Sequence, residues 1–109
     1  MDIETLYPLI TEAIRRAEAL DESGAPGARQ AHLDVSRIEE HIASILPPSD
    51  VEGAIARRGA VSAAIASHEF RMAEDLVKKF TAEYGIDDSV RAGLITLRTK
   101  TGAAPEWAG

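Results

Sequence analysis

VEGAIARRGAVSAAIASHEFRMAEDLVKKFTAEY, residues 51 to 84, decides how this chain is to be read. Its first half is trimmed: between 51 and 67 stand six alanines and two glycines, and the larger apolar residues Val51, Ile55, Val61 and Ile65 fall on one face at helical spacing. Small side chains let a second backbone come close, so this segment is expected to be the packing axis of a helical bundle. The second half carries Phe70, Ala73, Leu76, Val77, Phe80 and Tyr84 at spacings of three and four, the stripe of a helix with one side on a core. Carried through at 100° per residue, that stripe is displaced by about 70° from the first, which predicts a break at Ser67-His68. Ser67 would cap the new helix and Glu69 would sit in its first turn. A single helix of some thirty residues is the alternative, since no Gly or Pro falls between Gly59 and Gly85.

Working outward, the stretch Ser49-Asp50-Val51-Glu52 holds the serine and glutamate of a capping box, which sets the start of this central element. Before it, Ala31, Val35, Ile38, Ile42 and Ile45 repeat at four, three, four and three, and the series stops at Pro47-Pro48. Further back, Ile3, Leu6, Ile10, Ile14, Ala17 and Leu20 form a first stripe. Pro8 cannot donate to the carbonyl of Glu4, so this helix either begins near Pro8 or is kinked in its first turn. Gly24-Ala25-Pro26-Gly27 is a turn by composition, short enough to make the first two helices antiparallel neighbours. On the other side, Tyr84-Gly85-Ile86 reads as a Schellman-type stop with Ile86 as its apolar contact. Asp87 or Asp88 would then cap a fifth helix through Val90, Leu94 and Leu97, although the β-branched run 94–101 would serve equally as an extended segment. The expectation is therefore an all-α, compact antiparallel bundle of four to five short helices with a helical hairpin at its centre, occupying residues 1–101. Residues 102–109 are expected to form a flexible tail.

Composition agrees with one domain. The chain of 109 residues is 45% apolar and poor in aromatics, which favours helix over sheet. The net charge is −6 and lies in the first half, where residues 1 to 50 hold ten acids and four bases while the remainder holds eight of each. Such an acidic half repels nucleic acid and anionic membranes. No apolar run approaches twenty residues and no basic residue precedes Arg15, so neither a membrane span nor a secretory signal is expected, and the cytoplasm is the expected location. The lack of cysteine removes disulfides, thiol catalysis and thiolate metal sites together.

The remaining chemistry is sparse. None of His32, His41 and His68 has an acid three or four residues away, the spacing by which a helix presents a joint metal site. Glu39 and Glu40, like Asp87 and Asp88, are adjacent in sequence and diverge on a helix. There is no phosphate loop, nucleophile elbow or dinucleotide fingerprint. No catalytic or metal residue and no cofactor is expected, and the chain is not expected to be an enzyme.

Two short strings carry resemblances. Residues 67 to 80, SHEFRMAEDLVKKF, resemble the turn and second helix of a tetratricopeptide repeat, with Phe70 and Ala73 in the aromatic and alanine places. Ala60 and Val61 depart from that family's pattern, and no copy lies 34 residues earlier. Residues 55 to 67, IARRGAVSAAIAS, resemble a helix-turn-helix, which would imply a DNA-binding regulator with Arg57 and Arg58 near the DNA backbone. There Ala63, Ala64, Ala66 and Ser67 occupy the places of base-reading side chains, so nucleic acid is not the favoured partner. The favoured expectation is a small non-catalytic helical interaction or adaptor module, self-associating or bound to a protein partner. Its candidate interface residues are Ala60, Ala64 and Ile65 on the trimmed helix, with Trp107 in the tail as an anchor.

Overall fold

Asp2 starts the first helix by accepting the backbone N–H of Thr5 on its side chain, which satisfies one of the free donors of the first turn. The computed structural model describes residues 1–101. Within them α1 spans Ile3–Ser23, α2 Ala28–Ile45, α3 Val51–Ala66, α4 Phe70–Thr81 and α5 Asp88–Arg98, followed by a 3₁₀ turn at Thr99–Thr101. The chain is an all-α bundle, as the periodicities predict, and residues 94–98 are helical rather than extended. Among the described residues no helix is long and apolar enough to cross a membrane.

Pro8 neither starts α1 nor delays it, since the helix begins five residues earlier and runs through it. The carbonyl of Glu4 that loses its donor is on an exposed residue in the first turns, where solvent can reach it. Gly24 closes α1 in the left-handed conformation, with its N–H on Asp21 O and that of Ala25 on Leu20 O. The turn through Gly27 reverses the chain, and α2 packs back along α1. At the start of α3 the cap is Asp50 rather than Ser49: its side chain accepts from the Glu52 N–H. Glu52 then points away from any capping box and accepts a hydrogen bond from the Tyr7 hydroxyl of α1.

The predicted break between α3 and α4 is present, with different roles for its residues. Ser67 ends α3 rather than starting α4, donating its hydroxyl to Ala64 O. His68 takes the left-handed conformation at φ 62, and Glu69 precedes α4 without a side-chain cap. α4 ends at Thr81, earlier than Tyr84-Gly85-Ile86 suggests. Gly85 is left-handed at φ 86 and Ile86 is buried, but Tyr84 is fully exposed and no part of the stripe. Asp87 caps α5 through the Ser89 N–H at 2.8 Å.

The core lies where α3 meets its neighbours. Its trimmed side packs on α2, and the two backbones come so close that Ser36 Oγ donates to Ala60 O at 2.7 Å. Ala60, Val61 and Ala64 are fully enclosed, and on the other side Ala73, Leu76, Val77 and Phe80 of α4 and Leu94 of α5 complete the apolar cluster. The apolar face expected on α3 divides accordingly: Val61 is core and Ile65 half-buried, while Val51 and Ile55 stand in solvent. α3 is covered on its small-residue side, so its large residues near the start lie outside the contact.

Candidate functional site

The order α1 up, α2 down, α3 up places α1 and α3 side by side on α2, with Tyr7 of α1 reaching Glu52 of α3 at one end. In an antiparallel four-helix bundle a fourth helix would lie between such a pair. Here the left-handed His68 turns the chain away, and α4 packs with α5 on the far flank of α3. A trough is left between α1 and α3, floored by α2. It comprises two hollows of about 270 and 200 Å³. The first is walled by Ile14, Ala17, Ala63 and Ala66 over Val35, the second by Tyr7, Ile10, Ile55 and Ala56 over Ile42. Ile14 belongs to the core stripe of α1 by spacing, yet it remains more than a third exposed because nothing covers the trough.

Glu39 lines both hollows. It sits on α2 between Val35 and Ile42, beneath Gly59 of α3, where an added Cβ would lie 2.9 Å from its carboxyl carbon. The residue is 9% exposed and makes no hydrogen bond among the described residues, and its oxygens keep their access to the trough. Burial alone pushes its carboxyl up to about 7, because the charged form loses hydration and gains no donor. The other titratable groups along the trough are Tyr7 and Glu18 of α1, His32 of α2 and Glu52 of α3. The hydrogen bond to the Glu52 carboxylate, with burial, pushes the Tyr7 phenol up to about 12. His32 is engaged by Asp21. Among the described residues no arginine or lysine lines either hollow. On the opposite side of α1 a groove of about 380 Å³ runs along α2, but its charges are mixed, Glu12 and Asp34 with Arg16 and Arg37.

The sequence-predicted candidates fall elsewhere. Ala60 and Ala64 are fully buried, used up by the protein's own core, and cannot meet a partner. Ile65 is half-buried against the same core, and Trp107 lies outside the described residues. The helix-turn-helix resemblance fails on geometry: residues 55–66 are one unbroken helix, with no turn before the would-be recognition segment. Arg58 is exposed, but Arg57 is 2% exposed and unavailable to any DNA.

Arg57 has a structural role that the sequence reading missed. Its Nε and Nη2 donate to the two carboxylate oxygens of Glu83 at 2.7 and 2.8 Å. Nη1 donates to Leu46 O and Gly53 O, and Nη2 also to Ala43 O, at 2.9 to 3.0 Å. All five guanidinium donors are thereby used, the end of α2 is capped, and the segment after α4 is tied to α3. The ring of Phe80 lies 5.6 Å from the guanidinium carbon. The signal was available: residue 57 stands three and four places from Gly53, Ala54, Ala60 and Val61, on the face that the small residues mark as buried. Glu39 shares its face with Val35 and Ile42 in the same way.

Among the described residues no group of three or more acid or histidine side chains is placed to hold a metal ion. The chain matches no family model, no curated protein and no solved structure.

Proposed function

We propose that this chain is a small non-catalytic helical interaction module whose trough between α1 and α3 receives an amphipathic helix of another protein. One observation carries the reading: an apolar trough of two hollows, bridged at one end by Tyr7 and Glu52, in the position where a bundle of this topology seats a further helix. Ile55, 52% exposed, and Ile14 and Tyr7 across from it are the large apolar side chains such a helix would cover. Self-association through Ala60 and Ala64 has no surface left to use, so the partner helix is assigned to a different chain.

The test is selection of amphipathic peptides of roughly 11 to 14 residues, about three to four helical turns, from a display library against the wild-type chain. Binders lost on Ile55→Glu, with the variant's thermal unfolding unchanged, support the reading. An absence of Ile55-dependent binders overturns it, as does a dimer in light scattering that Ile55→Glu dissolves, which would make a second copy the occupant.

A further inference from the structure

The trough is more specific than an apolar slot, because its floor carries a charge-bearing group that the fold leaves unanswered. Glu39 is nine-tenths buried, makes no hydrogen bond among the described residues, and lines both hollows of the trough. A carboxylate enclosed by apolar walls is costly unless a cation or donor meets it. No arginine or lysine among the described residues lines the trough, and its two possible donors are engaged elsewhere, Tyr7 by Glu52 and His32 by Asp21, while the carboxylates of Glu18 and Glu52 add negative potential. Glycine at position 59 keeps this spot clear on the α3 side, since even a methyl group would crowd the carboxyl. The field and the walls together select a positive charge on an apolar body.

The dimensions select the form of that body. From Glu52 to Ala66 the wall of α3 extends about 21 Å, and from Tyr7 to Glu18 that of α1 about 16 Å, at 1.5 Å per residue. Glu39 lines the hollow at each end, which places it mid-trough. Three to four helical turns fit this length, with one position of the incoming apolar stripe lying over the carboxyl. We infer that the occupant is a basic amphipathic helix whose stripe is interrupted by one lysine or arginine, held by Glu39. This rests on the helix-receptor reading and names the partner's chemistry.

The experiment uses the peptides selected above. Expected is a lysine or arginine at one fixed place in the apolar stripe of the Ile55-dependent binders. Replacing it by methionine should weaken binding to the wild-type chain by roughly tenfold or more, as for other close charge pairs at interfaces. The same replacement should change binding to the Glu39→Gln variant by less than about threefold. If Ile55-dependent binders carry no basic stripe residue, or the methionine peptide loses equally on both proteins, Glu39 does not read a cation and this inference falls while the helix receptor stands. If no binder depends on Ile55, both fall. If hexylammonium ion shifts the NMR resonances of Gly59 and Ser62 while no peptide binds, the cation is a small amine and the helix is overturned.

Discussion

Replacing Glu39 by glutamine isolates the cost of placing an acid in the trough. The folded carboxyl is raised from its ordinary value of 4.5 to about 7 by burial. The folded state therefore binds more protons than the unfolded state between those two values. Stability from this group is fully present below pH 4.5 and declines as pH rises through 7, above which the ionised form is buried at full cost. At 1.36 kcal/mol per pKa unit the span amounts to roughly 3 kcal/mol. Contact of the oxygens with trough water makes that an upper figure. Glu39→Gln removes the titration while keeping the shape. Urea unfolding of both proteins at pH 4.5, 6 and 8 should show nearly equal stability at the lowest pH. The variant should gain about 2–3 kcal/mol at the highest, on the order of 10 °C in Tm for a domain of this size. Taking the difference between the proteins cancels what the substitution leaves untouched. A difference that stays flat with pH, or a variant less stable at pH 8, would refute the account of Glu39 as a buried acid without a donor.

Two further outcomes follow from the contacts around α3. Gly53→Ala should destabilise the fold by more than about 2 kcal/mol, despite the better helix propensity of alanine, because its Cβ would lie 2.1 Å from the carbonyl oxygen of Pro47, which is backbone and cannot swing aside; denaturant midpoints check this. Arg57→Lys keeps the charge but cannot reproduce five fixed donors, and should cost about 3 kcal/mol, whereas Arg58→Lys on the exposed side should change stability by less than about 0.5 kcal/mol. Equal effects at 57 and 58 would remove the guanidinium from its place in the fold.

Much of this architecture was written locally. Of the series Ala31-Val35-Ile38-Ile42-Ile45 and Phe70-Ala73-Leu76-Val77-Phe80-Tyr84, which follow the helical repeat of 3.6 residues, the core takes the inner members, while Ile45, Phe70 and Tyr84 at the ends stand exposed. Left-handed glycines at 24 and 85 and the aspartate caps at 2, 50 and 87 fix ends through bonds that span only a few residues. Such signals leave choices open where neighbouring residues compete. Asp50 takes the capping role from Ser49, and Glu52 is drawn off by Tyr7, a contact 45 residues distant in the chain.

What the sequence by itself determined was helix content, the bundle, and the trimmed character of α3. Only the tertiary structure decided which trimmed residues remain for a partner. Ala60 and Ala64 vanish into the α2 contact, and Ile14 and Ile55 stay half open, because the turn at His68 sends α4 to one flank of α3 rather than into the trough. The burial of Glu39 and Arg57 is likewise a property of three helices meeting. Periodicity can place a charged residue on an inward face, but whether it finds its partners, as Arg57 finds five acceptors, or none, as Glu39 finds no donor, depends on what the rest of the chain brings to it.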